Sequence, residues 1–204
     1  SVGSSTDSLD TDVANLTLSV TGATYVNEAN ALDVSSATVG GSFMLNTSGK
    51  TTLNNLDAQA VTVLVGTGRL SVSQARTAGL LSLTSAGATS LSNVNALAGL
   101  NLTVNSGDLS LNGVNAAGQT VTLNVGGQVL NGGVGLDLTA QRVSITAAGV
   151  GQGAALDTEV GELSLAVSGA AGLSDASGLT LTVATVGSLS LTAAGSSVLQ
   201  SLSS

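Results

Sequence analysis

The feature that most constrains this chain is a repeat. Apolar-x-apolar triplets recur as LTL at 16–18, FML at 43–45, VTV at 61–63, LSL at 81–83 and LTV at 102–104, then VTL at 121–123, VSI at 143–145, LSL at 163–165 and LTV at 181–183. Their central residues are separated by 27, 18, 20, 21, 19, 22, 20 and 18 positions. A fixed period of this size marks a stack of like units, each unable to bury its inner face alone. Glycines keep the same beat at Gly22, Gly49, Gly68, Gly87, Gly107, Gly127, Gly149, Gly169 and Gly187. Several open a second alternating run, as in GRLSV at 68–72, GDLSL at 107–111 and GSLSL at 187–191. A third, shorter element places Leu56, Val94 and Val114 in NNLDA at 54–58, SNVNA at 92–96 and NGVNA at 112–116.

Alternation sends side chains inward and outward by turns, while Gly and Asn supply the positive φ of tight corners. Three short strands per unit with no helical period predict an all-β parallel β-helix, a β-solenoid of about nine coils of about 20 residues. At the spacing of paired strands that makes a rod of about 43 Å. Residues 1–12 read as an N-terminal extension and 13–204 as one solenoid domain. Two places break the rhythm. The first interval is about seven residues too long over 26–41, which predicts an extra turn or strand pair, and the second run fails over 126–162, which predicts a protruding loop.

Composition fits a narrow stacked core. The 204 residues include no Pro, Cys or Trp and no His, with only Tyr25 and Phe43 as aromatics. Proline would remove a ladder donor, and small aliphatic side chains suit a narrow interior better than rings. The residues between the apolar pairs, Thr17, Thr62, Ser82, Thr103, Thr122, Ser144, Ser164 and Thr182, are expected to form a hydroxyl ladder on one face.

The same absences exclude a thiolate nucleophile, a Cys/His zinc site and a Ser-His-Asp triad. A formal charge of −8 with four Lys and Arg excludes the basic patch that nucleic acid requires. No segment reaches the apolar length of a membrane helix, and two aromatics cannot supply the girdles of a membrane barrel. Residues 1–15 are polar and acidic and lack a signal-peptide pattern.

Runs such as GDLSLNGVNAAGQTVTLNV at 107–125 and GATSLSNVNALAGLNLTVNSG at 87–107 resemble the repeats of filamentous haemagglutinin-type exoproteins, the adhesins of two-partner secretion systems and related autotransporters. The resemblance covers about residues 13–195 and implies a right-handed β-helix, export to the bacterial surface and a rod that carries adhesive or toxic modules. The family's amino-terminal secretion domain has no counterpart in residues 1–12, so the resemblance implies a piece of shaft. The implied partners are further solenoid repeats or neighbouring copies end to end, with host or matrix glycans and proteins beyond them. Self-assembly into filaments through uncapped solenoid ends is the alternative.

Other motifs favour plain readings. SGKTT at 48–52 lacks the first glycine of a phosphate loop, with Met44 in its place, and leads into no helix. It reads as a glycine turn with an exposed Lys50. GGVGLD at 132–137 resembles one calcium-roll repeat, but a roll needs consecutive copies. Asp157, Glu159 and Glu162 form the one dense carboxylate group, with Arg142 as the cation expected nearby. They are the candidates for calcium or for glycoside hydrolysis, and a solvated acidic loop is the favoured reading. No cofactor, no metal and no catalytic chemistry are expected. Asn15, Asn46 and Asn101 stand in N-x-Ser/Thr sequons, which are frequent by chance in such a composition. An ice-binding face is disfavoured because the ladder is one column wide and mixed with Ser.

Overall fold

The computed structural model describes residues 1–203 and is all-β. Its strands form one continuous ladder in which every pairing is parallel, so the chain winds as a β-solenoid with each coil stacked on the one before. Partners in successive coils lie mostly 18 to 21 residues apart, as in Thr24↔Phe43, Leu81↔Leu100 and Leu109↔Val129. Each coil has three faces. The first carries residues 43–47, 61–65, 81–85 and their equivalents, and the second carries 51–53, 70–72 and 89–91. The third carries 56–58, 75–77 and 94–96. Leu56, Val94 and Val114 share one column of that third face, with Ala75 between the first two.

The core is a set of vertical apolar columns. One runs through Leu9, Val26, Leu45, Val63, Leu83, Leu102, Leu123, Ile145, Leu165, Ala184 and Leu202. Its ten steps correspond to a rod of about 48 Å at the usual strand spacing. Between Val26 and Ala184 every member is buried. Each coil presents its inward side chains to two neighbours, which is why burial is nearly complete in the middle and falls off only at the ends.

This register corrects the expectation of an insertion over 26–41. Residues 32–47 form one strand, Leu32–Thr47, paired at offsets of 18 and 19 with the coils on both sides, and the only irregularities are register shifts between Leu16 and Thr17 on one side and between Val39 and Ser42 on the other. The long first interval arises because LTL at 16–18 rounds a corner: Leu16 pairs with Val34 on the second face and Leu18 with Ala37 on the third. The true equivalent of FML is Thr24–Val26, with Tyr25 opposite Met44. Within residues 1–12, Leu9–Thr11 is itself a strand in register with Val26–Glu28, and Val2 bridges Thr24. Over 126–162 the offset rises to 24 at Val114↔Leu138, and residues 132–136 bulge outward with Val134 almost wholly exposed.

The interior also admits a ring. Phe43 is completely buried, stacked in register between Thr24 and Val61, where the small Thr24 leaves room. The corner between first and second faces needs glycine for two reasons. Gly68 and Gly107 have φ of 95° and 99°, and a Cβ on either would approach the coil below to 2.9 Å, at the backbone nitrogens of Lys50 and Ala88 respectively. Inside the same corner, hydroxyls close the chain on itself: Thr47 and Thr51 share a buried bond of 2.6 Å, and Ser85 donates to the Gly87 carbonyl at 2.9 Å.

Candidate functional site

Three surfaces carry the polar chemistry of the molecule. The first is the flat outer side of the first face. Its outward column reads Tyr25, Met44, Thr62, Ser82, Asn101, Thr122, Ser144 and Ser164. The expected ladder is therefore corrected at three places. Thr17 lies at a corner opposite Ser36, and Thr103 belongs to a second column with Thr84 and Asn124. Thr182 sits at a register shift and donates to the Leu163 carbonyl at 3.1 Å. The face is thus at least three columns wide, the third carrying Ser42, Ala60, Thr120, Arg142 and Glu162, and Thr120 and Thr122 are neighbouring outward threonines on one rung. Among the described residues no hydrogen bond joins hydroxyls within the first column. Bonds between stacked side chains form elsewhere: Asn46 donates to Asn27 at 3.1 Å and Asn27 to Asp10 at 2.9 Å in the second column, and Ser90 to Ser71 at 3.1 Å on the second face.

The second surface is acidic. Its members are distributed around the coil. Glu159 stands opposite Thr139 on the third face, exposed. Glu162 lies past the corner at Gly161, opposite Arg142, whose Nε and Nη2 donate to its two oxygens at 2.8 and 3.4 Å. Those charged hydrogen bonds hold the Glu162 carboxyl below its usual range and push the Arg142 guanidinium up. Asp157 turns toward the 131–137 loop, where its carboxylate accepts from Asn131 Nδ2 at 3.1 Å. Each of the three acids has its own environment, and among the described residues no group of three or more acids is placed to hold a metal.

The acid that does sit inside is Asp137, the last residue of GGVGLD. It is fully buried, and its carboxylate accepts the Asp157 N–H at 3.0 Å and the Gly132 N–H at 3.4 Å. Burial pushes its carboxyl up; the two backbone bonds pull it back in part, and the nearby Asp157 charge adds to the rise. Two further acids are buried at corners. Glu28 accepts from Thr11 Oγ1 at 2.7 Å and from the N–H groups of Val13 and Asn30 at 3.1 Å each. Burial is the largest influence on its carboxyl and acts upward, but the hydrogen bonds together outweigh it and hold the group below its ordinary value. Asp175 accepts from Thr158 Oγ1 at 2.9 Å, from Val160 N–H at 3.1 Å and from both Ser177 donors at 3.0 Å. These carboxylates act as corner clamps: they collect backbone donors where the ladder turns.

The third surface is a shallow groove of about 350 Å³ running along the third face, lined by Asn55, Asp57, Gln74, Arg76, Asn93 and Asn95 among others. Arg76 and Asp57 are an exposed pair at 3.6 Å on adjacent rungs. Among the described residues Asn93 is the one non-glycine residue with positive φ, at 52°, which the corner requires and asparagine tolerates. Sequence reading missed this groove, although the roughly 19-residue recurrence of Asn55, Gln74 and Asn93 was the available signal.

Neither family models, curated proteins nor solved structures match this chain.

Proposed function

We propose that the chain is a rod segment of a secreted bacterial surface adhesin or extracellular fibre that spaces other modules and performs no catalysis. The observation that supports this reading is the continuity of one parallel ladder from Val2 to Leu202. Stacked coils of this kind resist bending because each adds backbone hydrogen bonds along the axis. The resemblance of residues 87–125 to exoprotein repeats supports the same reading. Its test is immunogold labelling of intact source cells together with binding of the purified chain to host cells. Surface label without saturable cell binding is expected; label seen only after permeabilisation would sink the surface assignment, and saturable binding would make the segment an adhesive module.

A second reading, a filament subunit stacking head to tail, has its own observation. The outermost rungs keep strand geometry while exposing apolar side chains, Leu9 at 45 % on one end and Val198, Leu199 and Leu202 at 51–54 % on the other. Such edges accept a further rung. Electron microscopy separates the readings: fibres that lengthen with protein concentration support the filament, and single particles about 48 Å long support the spacer.

A further inference from the structure

The chain has four cationic side chains, Lys50, Arg69, Arg76 and Arg142. Arg76 pairs with Asp57, and Arg142 with Glu162. Among the described residues Lys50 and Arg69 join no ion pair, yet they occupy equivalent positions on adjacent coils, each immediately before the paired residues Thr51 and Leu70. Like charges side by side across a ladder are unfavourable, and an acidic surface offered many other places for them. Both line one groove of about 360 Å³ on the second face, together with Ser71, Ser90 and Ser110 on successive rungs and Asp108 on the rung farthest from Lys50. Ser90 donates its hydroxyl to Ser71 Oγ at 3.1 Å, which leaves the Ser71 proton free to point outward.

We propose that Lys50 and Arg69, with the hydroxyls of Ser71 and Ser90, form a binding site for a tetrahedral oxyanion, the phosphate or sulfate group of a compact monoester or the free ion. The guanidinium fork of Arg69 takes two oxygens, the Lys50 ammonium takes a third, and the serine hydroxyls fill remaining lone pairs. A carboxylate, with two oxygens, uses only part of this donor set. An extended polyanion is disfavoured. The net charge of −8 repels it at long range, and Asp33, in register with Thr52, and Asp108 flank the cationic pair on either side.

The experiment is an NMR titration of the ¹⁵N-labelled protein with inorganic phosphate, sulfate, glucose 6-phosphate and acetate at low salt. One saturable site is expected, with shifts confined to the amides around 50–52, 69–71 and 88–90. Lys50→Gln and Arg69→Gln should each weaken binding about tenfold. Asp108→Asn should tighten it, and Arg142→Gln should leave it unchanged. Both cations are exposed, and far-UV circular dichroism checks that the variants remain folded. A preference for glucose 6-phosphate assigns the site to an ester, and equal affinity assigns it to the free ion. Absence of saturation, acetate binding as tightly as phosphate, or unchanged affinity in the double variant would overturn the proposal.

Discussion

Glu28 and Asp137 are both carboxylates sealed inside corners of the same solenoid, yet their surroundings drive them in opposite directions. Glu28 stands in a column between Thr11 and Thr47, where the chain of the first coils turns and the N–H groups of Val13 and Asn30 find their acceptor in its side chain. A hydroxyl and the N–H groups of Val13 and Asn30 converge on it, so the charge is favoured in spite of burial. Asp137 closes the 131–137 loop with two backbone donors and has Asp157 beside it. The lesson is that burial alone does not decide whether a charge belongs in such a core. What surrounds the corner does: each carboxylate takes two backbone N–H groups, but only Glu28 also takes a hydroxyl and only Asp137 faces a second acid.

The largest expected effect comes from removing the better-served carboxylate. Glu28→Ala removes the carboxylate acceptor of the Thr11 hydroxyl and of two N–H groups and should cost about 3 kcal/mol in denaturant unfolding, given the usual worth of charged hydrogen bonds. Hydrogen exchange should show the loss concentrated at residues 9–13. Asp137→Asn should cost no more than about 1 kcal/mol, because an amide keeps one acceptor and removes a disfavoured charge. An equal loss in the two variants would erase the distinction between the corners.

Their pH dependences should also have opposite signs. The Glu28 carboxyl lies below its ordinary 4.5, so its stabilisation is complete above that value and is lost as pH falls through the native value. The Asp137 carboxyl lies above its ordinary 3.8, so its contribution is complete below that value and is lost as pH rises through the native value. Stability measured from pH 2 to 7 should therefore show a flattened acid limb in Glu28→Gln. Asp137→Asn should instead lack the decline on the rising side. Identical profiles for both variants would refute the assignment.

A buried polar group with no donor or acceptor at all extends the comparison. The Thr77 hydroxyl is completely buried among the described residues with no partner, in a column with Ala58 and Ala96. Thr77→Val should therefore stabilise the protein by about 1 kcal/mol, seen as a higher denaturation midpoint. The smallest effect belongs to the exposed Arg142–Glu162 pair. Despite its short distance, Arg142→Gln should leave the midpoint unchanged within error at physiological salt.

The coil pattern was legible because alternation and corner glycines are local signals. Gly68 and Gly107 could be placed at turns from the sequence since no other residue takes their backbone conformation freely. The phase of each coil was harder to read. LNLTV at 100–104 alternates over five positions, so LNL and LTV are equally good triplets, and only pairing of Leu100 with Leu81 selects the first. Thr24 hid the rung before FML because a polar residue occupies an inward position, and LTL at 16–18 imitated one while rounding a corner. Among the acids, Asp157, Glu159 and Glu162 look close in sequence, but the turn at Gly161 separates Glu162 from the others. The acids that shape corners, Glu28 and Asp175, carry no motif because their partners come from the coil before or from the backbone beside them.

The amino-acid sequence by itself determined that this chain stacks coils of about 20 residues around a narrow aliphatic core, because period, alternation and the absence of proline are properties of neighbouring residues. Tertiary structure decided which residues share a rung. That choice put Lys50 beside Arg69 across 19 positions of chain, set Phe43 above a small Thr24, and gave Glu28 a hydroxyl donor that Asp137 lacks. Register between coils is fixed by which inward side chains fill one another's gaps and where each corner falls, and both depend on the coils above and below.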